Sequence, residues 1–116
     1  MAENEQAAAA LPTCVLIVEA EIDDDVADAW NTWYDTVHLP EAMACPGVLS
    51  GRRYRADGEA AVTDHGVRSR HSSQAYVTIY ELSGPEAIET PAFQAMRGWY
   101  EFTDKITATT RVFNAC

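Results

Sequence analysis

Basic residues are scarce in this chain. Eight Lys and Arg stand against 18 Asp and Glu over 116 residues, a formal net charge of −10. A field of that sign repels phosphate backbones and anionic lipid, so neither nucleic acid nor a membrane surface is an expected partner. Long apolar runs are also missing: none approaches the roughly 20 residues that span a bilayer. The three cysteines, Cys14, Cys45 and Cys116, are widely spaced and form no CxxC, so a structural zinc site or redox dithiol has no support. A reduced, cytoplasmic protein is expected. There is no phosphate-cradling glycine loop and no GxSxG. His38, His65, His71 and Glu41 show no metal-ligand spacing, so neither a metal nor a cofactor is expected. The N-terminus carries Glu3 and Glu5 and no basic region, unlike a secretory signal. Residues 1–12 are expected to be a flexible tail, and residues 13–116 a single domain. No repeat at 20–50 residues is visible, which removes solenoids and propellers.

What is present is a clean alternation of periods. Residues 13–22 alternate, with Cys14, Leu16, Val18, Ala20 and Ile22 on one side and Val15, Ile17, Glu19 and Glu21 on the other. The acidic run Asp23-Asp24-Asp25 suits a helix N-terminus. Val26, Trp30, Trp33 and Val37 then recur at helical spacing, and Pro40 predicts that this helix stops near His38. Residues 41–45 suit a further short turn, and Pro46-Gly47 is a break. Residues 48–56 read as a strand interrupted by Gly51, residues 57–73 as a polar loop, and residues 74–82 as a strand. Thr90-Pro91 opens a second helical segment with Phe93, Met96, Trp99 and Tyr100 at helical spacing. Residues 106–114 form the last strand. The order β-α-β-β-α-β predicts an α+β, ferredoxin-like fold: a four-stranded antiparallel sheet with two helices on one face.

Two helices cover only one face of such a sheet. The open face is expected to carry Val15, Ile17, Glu19, Tyr76, Thr78, Tyr80, Thr109, Arg111 and Phe113. Apolar walls with a few polar groups suit either a small-molecule pocket or a subunit contact.

The segment from Asn31 to Pro40, with Trp33-Tyr34, His38 and Pro40, is followed by Pro46-Gly47-Val48 and Arg52-Arg53-Tyr54. This resembles the dimeric α/β-barrel superfamily near its EthD-like branch, where W-Y-x-x-x-H-x-P closes the first helix and P-G-V and an Arg-Tyr strand follow. That superfamily holds polyketide cyclases, cofactor-free monooxygenases, muconolactone-type isomerases, haem-degrading enzymes and proteins of unknown role. The resemblance implies a homodimer with its two sheets face to face and a pocket on each open sheet face.

His38 is then the leading candidate for chemistry. Histidine titrates near neutrality and can move a proton, although a histidine at a helix end also serves the helix dipole. The matched pattern favours the chemical role. Tyr34, four residues earlier, shares its helical face and is the second catalytic candidate. Trp33, Arg53, Tyr76, Tyr80, Arg111, Glu19 and Phe113 are candidate substrate-binding residues, the arginines as partners for a carboxylate or enolate. The expected function is cofactor-independent proton transfer on a small cyclic, oxygenated or aromatic-derived metabolite: isomerisation, cyclisation, dehydration or a lyase step. The alternatives are a cofactor-free monooxygenase on the same scaffold, and a non-catalytic small-molecule-binding or stress-associated dimer.

Overall fold

The computed structural model describes residues 11–56, 60–63, 66–69 and 74–116, with the backbone alone over 60–63 and 66–69. The first ten residues of the expected tail lie outside it, as do His65 and His71. Strand β1 (Cys14–Ile22) is central. It pairs antiparallel with β5 (Gln74–Leu82) and β6 (Ile106–Asn114), and β2 (Val48–Arg55) lies beyond β5. The sheet order β2-β5-β1-β6 is the ferredoxin-like one. Within the expected 57–73 loop, β3 (Ala60–Thr63) and β4 (Gly66–Ser69) pair with each other as a separate hairpin. Among the described residues, no helix is long and apolar enough to cross a membrane.

The strand registers fix both faces of the sheet. Leu16, Val18 and Ala20 stand opposite Tyr80, Thr78 and Tyr76, so those six residues share the helix-covered face. Leu16, Val18, Ala20, Tyr76, Thr78 and Tyr80 are all buried. The expectation of Tyr76, Thr78 and Tyr80 on the open face is therefore corrected. Both faces of β5 are partly apolar, and alternation alone does not say which one meets the helices. A phenol is readily buried when its hydroxyl finds a partner, as both do here. The open face instead carries Val15, Ile17 and Glu19 from β1, with Ala75, Val77 and Ile79 from β5. Thr109, Arg111 and Phe113 of β6 join them there, as expected.

Gly51 sits opposite Tyr80 on β2, and a Cβ there would come within 2.8 Å of the Tyr80 ring. The glycine does not interrupt the strand; it makes room for the ring.

The main helix, α1, does not stop at His38. It runs as a regular helix over Ala27–Trp33, widens into a π turn over Tyr34–His38, and resumes as an α-helix over Leu39–Met43. The Leu39 N–H reaches back five residues to the Tyr34 carbonyl. Pro40 has no N–H to donate, and in a regular helix its ring would press on the carbonyl four residues earlier. The widened turn lets the chain accept the proline and stay helical. Asp24–Val26 makes a 3₁₀ turn before α1, with no side-chain cap from Asp23. The second helix, α2 (Pro91–Met96), is capped by Thr90, whose hydroxyl accepts from the Phe93 N–H at 3.2 Å. It is shorter than the apolar spacing predicts: the backbone turns extended at Arg97, Gly98 follows at φ +114°, and Trp99 and Tyr100 lie outside the helix.

Candidate active site

The π turn decides where the first candidate residues point. Tyr34 and His38 both lie within it and both turn inward. His38 is 9% exposed, against the expectation of an open helix end. Its ring stacks on Trp33 with centroids 4.7 Å apart and an interplanar angle of 18°. The Tyr34 ring meets it edge-on at 4.9 Å, and Trp99 leans on it at 5.4 Å. No side chain among the described residues hydrogen-bonds the imidazole nitrogens, and His38 lines a cavity. Burial in this aromatic surround, with the Arg53 charge adding to it, lowers the His38 pKa from 6.5 to about 4. The imidazole is consequently neutral at physiological pH, with a lone pair free to accept a proton.

The cavity has a volume of about 370 Å³ and lies between the helix-covered face of the sheet and the helices. Leu16, Val18, Phe93 and Met96 give it apolar walls, and Trp99 lines it as well. Its polar groups include His38 and the hydroxyls of Tyr34 and Tyr80, which lie 3.2 Å apart. Burial raises the pKa of both phenols. Both tyrosines are neutral, and since one hydroxyl donates to the other, the pair has one proton left to donate toward a developing oxyanion.

Arg53 takes a different place. Its guanidinium carbon lies 4.3 Å from the Tyr34 ring centroid, 5.1 Å from Trp30 and 5.5 Å from Tyr76. Nη1 donates to Asp35 Oδ1 and Nη2 to Asn31 Oδ1, each at 2.6 Å. Asn31 in turn donates to the Tyr76 hydroxyl at 3.0 Å. This clamp braces the back of Tyr34. Arg53 and Tyr76 line an outer cleft with Asn31 and Asp35, not the His38 cavity.

The structure thus brings together His38, Tyr34 and Tyr80, with Trp33 behind the imidazole. It leaves Glu19, Arg111 and Phe113 on the opposite face of the sheet. The His38 cavity lies beneath the helices, while a second cavity, of about 410 Å³, takes in Glu19, Val77 and Thr109 of the open face. Sequence reasoning misses Trp99, because its spacing places it on the apolar stripe of a longer helix. Among the described residues, no three His, Cys, Asp or Glu side chains gather as a metal site.

The chain is similar in fold to HapK from Hahella chejuensis, at 16% identity and a TM-score of 0.60, over 89% of this chain and 92% of that one. An ethyl tert-butyl ether D (EthD) family protein from Bacillus halodurans aligns at 14% identity and a TM-score of 0.59, over 84% and 96%. SnoaB, a cofactor-independent oxygenase from Streptomyces nogalater, aligns at 15% identity and a TM-score of 0.56, over 90% and 94%. At such identities the likeness is one of fold, the ferredoxin-like one. No curated protein matches the chain in sequence. The model of one sequence family, described as a domain of unknown function, matches residues 13–115, and the chain therefore belongs to that family, DUF4286.

Proposed function

We propose that the protein is a cofactor-independent enzyme acting on a small cyclic, oxygenated or aromatic-derived metabolite, with His38 as the proton acceptor. The observation that carries this reading is the unpartnered, neutral imidazole facing a cavity beside two tyrosine hydroxyls. A planar ring fits among Trp99, Tyr34 and the apolar walls. His38 takes a proton from carbon next to a carbonyl, and the electron pair moves onto the carbonyl oxygen as an enolate. A hydroxyl of the Tyr34–Tyr80 pair donates to that oxygen, in a dry site where such a bond counts most. Return of the proton from His38 to a different carbon completes an isomerisation. Attack of the carbanion on a second carbonyl, with the His38 proton passing to the new alkoxide, completes a cyclisation; loss of a β-hydroxyl group, which leaves as water with that proton, completes a dehydration.

A second reading shares the first step. The deprotonated substrate gives an electron to dioxygen, the radical and superoxide combine to a hydroperoxide, and its loss of water leaves one oxygen atom on the ring as a carbonyl, the outcome of a monooxygenase. What favours it is the similarity in fold to SnoaB, whose description is that of a cofactor-independent oxygenase. In both readings the active species is a homodimer in the cytoplasm, the open sheet face being covered by a second copy.

The test is a panel of cyclic 1,3-diketones and hydroxyquinones, assayed without added cofactor for oxygen uptake and for solvent deuterium exchange. His38→Gln should lower kcat/KM by about 100- to 10,000-fold, the range for a lost general base. Because the pKa is near 4, wild-type activity should stay flat from pH 8 down to about pH 5 and fall below that. Full turnover in His38→Gln removes His38 from the mechanism, whereas a midpoint near the ordinary histidine value of about 6.5 overturns the lowered pKa.

A further inference from the structure

The lining of the His38 cavity includes no Asp, Glu or Lys; its one permanently charged side chain is Arg97. Arg97 follows α2 directly, in extended conformation, and stands with Gly98 at the solvent-facing side of the cavity. Its hydrogen-bond partner is neutral: Nη1 donates to Gln94 Oε1 at 2.7 Å. Gln94 is itself held, its Nε2 donating to the Ile88 carbonyl at 2.7 Å. The guanidinium is thereby anchored without being neutralised, and among the described residues no carboxylate pairs with it. Arg53 and Lys105, by contrast, are each engaged by an aspartate. In a chain of net charge −10, the long-range field repels an anion. A cation left unpaired at the edge of an otherwise uncharged cavity reverses that locally, and the planar fork of arginine matches a carboxylate.

We propose that Arg97 determines specificity at this cavity and selects ring substrates that carry a carboxylate, held at Arg97 while the ring lies against Trp99 and His38. This rests on the reading of the cavity as the substrate site. It narrows that reading to cyclic carboxylic acids.

Two matched pairs of probes test it: 1-hydroxy-2-naphthoate with its methyl ester, and salicylate with its methyl ester. Each is titrated calorimetrically into the full-length wild type, Arg97→Gln, Arg97→Lys and Gln94→Glu. Wild type should bind at least one acid about tenfold or more tighter than its ester, as expected of one charge-assisted contact. Arg97→Gln should abolish that preference and leave ester binding unchanged. Arg97→Lys should keep part of it, since it retains the charge but not the fork. Gln94→Glu should weaken acid binding by giving Arg97 an internal partner, which tests the proposal without altering the arginine. Arg97 is exposed, so the melting curves of its variants should overlay that of wild type. Acid and ester binding equally in wild type, or a preference that persists in Arg97→Gln, overturns the role of Arg97 and leaves the cavity standing as a ring site. Failure of all four probes to bind overturns both.

Discussion

His38 shows how far one side chain's properties depend on its surroundings. At an open helix end its pKa would be ordinary and its truncation cheap. Enclosed by Trp33, Tyr34 and Trp99 it stays neutral to about pH 4. The unfolded chain takes up that proton near pH 6.5. Stability from this group is therefore complete above about pH 6.5 and declines as the pH falls toward 4, because only the unfolded state binds the proton. Between pH 7 and pH 5 the loss should be roughly 1–2 kcal/mol after allowing for partial contact with solvent. Urea unfolding at the two pH values should show that loss in wild type. His38→Gln, which cannot titrate, should lose less by about that amount. An equal loss in both proteins would mean that His38 titrates normally in the fold.

At the scale of elements, the pairing of β2 with β5 sets the depth of the cavity. Gly51 leaves a gap in β2, and the Tyr80 ring fills it, with Leu39 of α1 close by. That seat brings the Tyr80 hydroxyl to Tyr34. Gly51→Ala should cost about 1–3 kcal/mol, because a new methyl group meets a ring that is itself buried. Gly51→Ala combined with Tyr80→Leu should cost less than the two single changes added together, since the smaller side chain leaves room for the methyl. Strict additivity in thermal or urea unfolding would show that the ring does not depend on the glycine. The π turn works in the same direction: it accepts Pro40 and carries Tyr34 and His38 inward together.

For the whole molecule, the notable surface is the open sheet face. Val15, Ile17, Val77, Ile79, Tyr54 and Phe113 share it, each at least partly accessible. Tyr76 and Tyr80 do not contribute, so the case for a second copy rests on the aliphatic residues with Tyr54 and Phe113. Light scattering should give about 26 kDa, twice the 12.8 kDa chain. Ile79→Asp places a charge in the middle of the patch and should give monomers that keep the sheet signal in circular dichroism. A wild-type monomer with an intact sheet would remove the face-to-face dimer.

The strands and the main helix were legible because local periodicity reports which residues can share a face. Residues 74–82 and 106–114 match β5 and β6 end to end, and Cys14, Leu16, Val18, Ala20 and Ile22 are the buried side of β1. The candidate pair Tyr34 and His38 was legible too, through its motif and spacing. Three features were not. A period of two divides β5 into two sets without saying which set meets the helices, and only its register against β1 decided that. Pro40 signals a stop, and it took a π turn to carry the helix through it. Most of all, the environment of His38 is built from Trp99, Tyr80 and Arg53, residues far from it in sequence. Burial and charge act through space, so local pattern was enough for the elements and the candidate pair, whereas tertiary packing decided where the His38 cavity lies and which protonation state that imidazole adopts.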